Sequence, residues 1–130
     1  MKQAFHTTAI ALLLGFYVTV QAFAQETAIE ITNSGMAKEN AHDPDGAIAD
    51  FNRAIALDPK YAKAYNCRGI ARFDKHDLEG AVADYNRAIE LDPKYTSPFI
   101  NRANARGAKG DMDGAIADYS RAIEIDPKKQ

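Results

Sequence analysis

The sequence predicts an all-α fold, a solenoid of three antiparallel helix pairs stacked in series. Two observations carry that reading. The block GAIADFNRAIALDPK at residues 46–60 returns as GAVADYNRAIELDPK at 80–94 and as GAIADYSRAIEIDPK at 114–128, 34 residues on each time and without insertion. A fixed period of this size marks a stacked repeat, because one helical pair cannot bury its own apolar face and borrows its neighbour's. Within each block the pattern A-[IV]-x-x-[FY]-x-x-A-I recurs. It sets Ala47, Ile48, Phe51, Ala54 and Ile55 at i, i+1, i+4, i+7 and i+8, a single apolar stripe at helical spacing.

The segment ahead of the repeats is of another kind. Residues 1–24 read MKQAFHTTAIALLLGFYVTVQAFA, with Lys2 the only charge, an apolar run from Ala9 to Val20, and small residues in Ala22-Phe23-Ala24. This is the layout of a secretory signal peptide. The run is shorter than the about 20 apolar residues that a membrane-spanning helix needs. Cleavage after Ala24 is therefore expected, giving an exported chain, periplasmic or secreted, that does not insert in a membrane. The remaining 25–130 form one domain with repeats at about 28–61, 62–95 and 96–128. Removing Lys2 takes the net charge from −2 to −3. Such a chain lacks the basic stripe that nucleic acid rewards and the polybasic surface that an anionic membrane attracts. Cys67 is the only cysteine, so no internal disulfide is available and the fold must stand on packing. A small, buried helical residue is the plain reading of it.

Each repeat then resolves into two helices. Asp58-Pro59, Asp92-Pro93 and Asp126-Pro127 are stops, since proline cannot continue a helix and pushes the residue before it out of the helical region. Between the first two stops the sequence predicts helices over Ala62–Lys75 and Leu78–Leu91. Asp77 caps the second by accepting a backbone N–H, and Asp43 and Asp111 hold the same place in the other repeats. Pro44 follows Asp43, as suits the first helical position. The opening helix of the first repeat, Ala28 to Ala41, is the weakest, with Ile31 where the others have aromatics. Gly35, Gly69 and Ala103 recur in the first helices, and Ala47, Ala81 and Ala115 in the second. Small side chains at matched places let the pair approach closely, beside Phe51, Tyr85 and Tyr119. A bulky residue at Gly69 is expected to overpack this contact at a cost of about 1–3 kcal/mol. Arg68 and Arg102 recur opposite Asp84 and Asp118. They either pair across the hairpin or solvate its outer faces. Ser34 faces Asp50 in the first repeat and cannot supply such a pair.

Together these positions resemble the tetratricopeptide repeat family: Tyr65 and Phe99 as the bulky residues of the first helix, the small residues above, Phe51/Tyr85/Tyr119, Ala54/Ala88/Ala122, and the closing Pro59/Pro93/Pro127. Lys38, Arg72 and Arg106 depart from it, standing where the family usually has a large apolar residue. The resemblance implies a right-handed solenoid whose first helices line a concave groove for an extended peptide or a partner helix. By repeat position the groove residues are Thr32, Met36, Glu39, Lys63, Asn66, Ile70, Phe73, Ser97, Ile100 and Asn104. Ile70, Phe73 and Ile100 form either its apolar floor or packing between repeats. One subgroup of the family clamps a C-terminal carboxylate with basic groove residues. Here those positions carry Thr32, Met36, Cys67, Ser97 and Asn101, which offer no positive charge.

Chemistry finds no foothold. His42 and His76 sit one repeat apart, too far for one metal when helices stack at about 8–10 Å. No nucleophile grouping or phosphate loop is visible, so no catalytic residue, cofactor or metal is expected. The expected partner is another protein of unstated identity. The alternative is a homo-oligomer. Repeat arrays close on a polar capping helix, whereas this sequence runs out at Pro127-Lys128-Lys129-Gln130, leaving Phe99, Tyr119 and Ile123 as an apolar face for self-association.

Overall fold

The computed structural model describes Gly15 and residues 27–128. Apart from Gly15, the expected signal peptide lies outside the described residues. The domain runs as α1 (27–40), α2 (Pro44–Leu57), α3 (Ala62–Asp74), α4 (Leu78–Leu91), α5 (Thr96–Ala108) and α6 (Met112–Ile125), with no strand among the described residues. The bounds of α4 are those expected from sequence, and α3 stops at Asp74, one residue before the expected Lys75. Packing is serial: α2 on α3, α3 on α4, α4 on α5, α5 on α6, with α3 also reaching α5.

The turns explain why the helices stop and restart where they do. At the end of α3, His76 N–H donates to the Phe73 carbonyl and Asp77 N–H to the Arg72 carbonyl, at 2.9 Å each. This closing pair of bonds needs a left-handed residue between helix and loop. His42, His76 and Gly110 take that place, with φ of 61°, 64° and 86°. The residue that closes one helix also opens the next. The Asp43, Asp77 and Asp111 carboxylates accept from the N–H of Gly46, Gly80 and Gly114 at 2.9–3.0 Å. Each glycine leaves room for that carboxylate, which an added Cβ would strike. The other turns are built on Asp-Pro. Asp58 Oδ1 accepts from Lys60 N–H at 3.1 Å, and Asp92 and Asp126 repeat the bond to Lys94 and Lys128.

Between the paired helices the small residues meet aromatic rings. A Cβ on Gly35 or Gly69 would lie 2.5 Å from the ring of Phe51 or Tyr85. Phe51 packs with Ala47, Cys67 and Ala71, and Tyr85 with Ala81 and Ala105. Each aromatic therefore fills the space between its own hairpin and the next first helix, and sheltered surface passes from repeat to repeat.

A polar ladder runs alongside this core. Asp84 is buried and receives a bidentate Arg68, at 2.9 Å and 2.7 Å, and Arg72 at 2.8 Å. Arg102 and Arg106 hold Asp118 with the same geometry. Of the two readings left open for these charges, pairing across the hairpin is the one present. The structure corrects the expectation for the first repeat: Ser34 donates to Asp50 at 2.8 Å and Lys38 Nζ stands 2.8 Å from it, so this buried carboxylate is also held. Arg72 and Arg106, which depart from the family pattern, are the second cations of this ladder, and Lys38 at the matching position is the nearest cation to Asp50. Arg68 also reaches Asn52, and Arg102 reaches Asn86, at 2.8 Å each, stitching successive repeats. Lys75 with Asp45, and Lys109 with Glu79, add an outer stitch.

Candidate functional site

The first helices bring most of the expected groove residues to accessible positions, but not all. Thr32 is wholly buried, its hydroxyl donating to the Ala28 carbonyl at 2.8 Å. A β-branched hydroxyl inside a helix bonds back to the preceding turn when no other partner is near, so Thr32 is no groove residue. Asn66 is buried too. Its Nδ2 donates to the Tyr95 hydroxyl at 3.2 Å and its Oδ1 accepts from Asn101 at 3.0 Å. With donor and acceptor both engaged it ties α3 to α5 and has little left for a peptide backbone. Met36 and Asn104 are exposed, and Glu39, Lys63, Ile70, Phe73, Ser97 and Ile100 are half-buried. Ile70 and Phe73 also pack on the Tyr85 core, so floor and packing are one surface. Asn104 accepts from the Tyr119 hydroxyl.

A concavity lies between α1 and α3. It encloses about 180 Å³ and is lined by Met36, Glu39, Asn40, Phe51, Cys67 and Ile70. Its wall is almost wholly apolar except at Glu39 and Asn40. Burial pushes the Cys67 thiol up to about 11, so it behaves as a small apolar wall and not as a nucleophile. Beyond Glu39 a second, polar cavity is lined by Glu39, His42, Pro44 and Asp74. Glu39 Oε2 is inaccessible and finds no donor. Burial first, then the Asp74 carboxyl facing it, raise Glu39 to about 7. Glu39 was expected as a groove residue. Its pairing with Asp74 was not, because the two carboxyls come from different repeats and recur in neither.

At the far end, α6 presents Met112, Ile116, Tyr119 and Ile123, exposed between 41% for Tyr119 and 63% for Ile116. They follow one another at i, i+4, i+7 and i+11, a continuous stripe. The matching positions on α2 and α4 include Phe51 and Tyr85, both buried under the next first helix. Phe99 is not part of the exposed face. It is buried, with Arg102 over its ring at 5.6 Å. Among the described residues no group of three or more His, Cys, Asp or Glu could hold a metal ion, and no helix is long and apolar enough to cross a membrane.

The family model described as "Tetratricopeptide repeat" matches residues 62–95 and 98–129, and one described as "TPR repeat" matches 43–76. No curated protein matches the sequence. Among solved structures, the chain is similar to the first TPR of Spaghetti (RPAP3) bound to the HSP90 peptide SRMEEVD. The identity is 26% and the TM-score 0.78, over 81% of this chain and 83% of that one. It is also similar to the TPR2B domain of yeast Sti1 in complex with pHsp70, at 26% identity and a TM-score of 0.77, over 80% and 83%. The Arabidopsis OM64 TPR domain shares the fold at 22% identity and a TM-score of 0.80, over 82% and 88%.

Proposed function

We propose, from the premise that the chain belongs to the tetratricopeptide repeat family, that it is a protein–protein interaction module which takes an extended segment of another protein along α1, α3 and α5. The observation that carries this is the apolar cavity between α1 and α3, walled by Met36, Phe51, Cys67 and Ile70. Half-buried Phe73 and Ile100 continue it towards α5. Two similar domains hold chaperone-derived partners, which supports a protein as the ligand class. Lys63, Ser97 and Asn104 would line the same path and set orientation. Pull-down from the native source with the wild type and Ile70→Asp tests this. The groove reading expects a partner that the wild type retains and the variant loses, with helicity unchanged. A partner held equally by both would sink it.

We also propose that the domain acts after export, with Gln25 as its first residue. Cell fractionation and N-terminal sequencing check this, and an unprocessed cytosolic chain would refute it.

The α6 stripe favours a second reading, self-association. Head-to-tail stacking on α1 would lack two polar contacts of the internal junctions, since Ser34 and Ala41 stand where Arg68/Arg102 and Lys75/Lys109 make them. A two-fold pairing of α6 with α6 of a second copy does not need those contacts, and it closes. Light scattering at tens of micromolar decides: a dimer lost in Tyr119→Glu or Ile123→Glu supports it, and a clean monomer rejects it.

A further inference from the structure

The carboxyl pair at the mouth of the apolar cavity has no counter-ion among the described residues. Among the described residues, neither Glu39 nor Asp74 takes part in an ion pair, although three cations lie close in sequence. Lys38 is held by Asp50, Arg72 by Asp84 and Lys75 by Asp45. The first two pairs close a hairpin and the third joins two repeats, so all three cations are committed to the fold. His42 lines the polar cavity beside the pair and makes no ion pair with either carboxyl among the described residues. Glu39 is half-buried and Asp74 exposed, and two facing carboxyls repel unless a proton is shared or a cation arrives, since neither can donate to the other when both are ionised. The cavity next to them is apolar and open to the groove.

We propose that the α1–α3 end of the groove selects a basic side chain, lysine or arginine, of the partner segment. Its aliphatic stem lies along Met36 and Ile70, and its charged head sits between the Glu39 and Asp74 carboxyls. The proposal rests on the groove reading above and names the partner's chemistry there. Long basic side chains suit such a place, because stem and head want different surroundings and the site supplies both. The selectivity is opposite in sign to that for the acidic HSP90 peptide held by the similar RPAP3 domain.

Panning a phage library of random dodecapeptides on the protein tests this, followed by fluorescence anisotropy with the enriched sequence as a synthetic fluorescein conjugate. The expected result is enrichment of a lysine or arginine flanked by apolar residues. Its affinity should weaken at least tenfold in Glu39→Gln/Asp74→Asn. That variant removes carboxyls that lack a counter-ion, so folding is not at risk, and far-UV circular dichroism should be unchanged. Asp113→Asn/Glu124→Gln, an equal charge change on exposed α6 positions, should leave affinity as it was. Enrichment of acidic or uncharged peptides overturns the proposal and leaves the groove standing. So does equal binding to wild type and Glu39→Gln/Asp74→Asn, or an equal loss in the α6 control. If no peptide is enriched, the groove reading fails and takes this proposal with it.

Discussion

At the scale of single residues, the buried carboxylates differ in how firmly they are held, and that difference is measurable. Asp84 faces two guanidiniums, one of them bidentate, with Arg68 and Arg72 only 17% and 28% exposed. Removing it strands two part-buried cations, a loss of about 3–5 kcal/mol when a buried pair is broken, against a total of about 5–15 kcal/mol for a domain. Asp50 is held by a hydroxyl, by Lys38, whose side chain is 43% exposed, and at 3.4 Å by Arg53, 68% exposed. Asp84→Ala should therefore lower the urea midpoint by much more than Asp50→Ala. Equal losses would mean that the ladder's buried charge contributes nothing beyond packing. Glu39 makes the opposite contribution. Its folded pKa, about 7, lies above the ordinary 4.5, so the folded state binds more protons than the unfolded chain between those values and stability falls as pH rises through that window. The Lys38 bond holds Asp50 below its usual range, so its contribution is lost only on the acid side. Tm should drop from pH 5 to pH 8, and Glu39→Gln should flatten that drop while leaving the acid limb in place.

Two glycines, one on α3 and one on α5, separate close packing from helix propensity. Gly69 lies against Tyr85, and an alanine Cβ there would stand 2.5 Å from the ring. Gly107 has nothing within 4 Å of its would-be Cβ. Alanine is the better helix former by about 0.8–1 kcal/mol at either site, but overpacking costs about 1–3 kcal/mol and applies only at Gly69. Gly69→Ala should lower Tm and Gly107→Ala raise it, and a rise in both would mean that the α3–α4 contact is loose. Elements that recur were legible from sequence for the same reason that they are stable: caps, stops and small residues are forced by a geometry imposed three times, and the Arg68–Asp84 pair recurs once, as Arg102–Asp118. Arg72 and Arg106 were missed as ladder members, though each lies 12 residues before its aspartate, as Lys38 does before Asp50. They stand at a position that is apolar in the family, which hides their relation to the carboxylate across the hairpin. Asn66 was misplaced because its burial depends on Tyr95 and Asn101, beyond its own helix pair. Glu39 and Asp74 form a pair that occurs once, and no periodicity points to it.

In the whole molecule, serial packing makes stability a matter of position along the array. A repeat contributes its own term and one interface per neighbour, so an end unit lacks an interface that a central one has. The central α4 lies between α3 and α5, whereas α6 packs on α5 and leaves Met112, Ile116, Tyr119 and Ile123 bare. Their sequences make the comparison clean. NRAIELDPK in α4 and SRAIEIDPK in α6 differ at two positions, so intrinsic amide exchange rates nearly match and any difference in protection reports placement. Opening energies run from near zero at frayed ends to the global value in the core. Native-state hydrogen exchange in dilute solution should therefore find the amides of Ala88 and Ile89 protected at least tenfold more than those of Ala122 and Ile123. Raising the concentration then separates two states of the α6 face. If a second copy covers it, protection of α6 rises towards that of α4 with concentration, because the missing interface is restored. If the face stays bare, the gap persists. Equal protection of both helices at every concentration would show that the array unfolds as one unit, and that serial stacking is not what sets its stability.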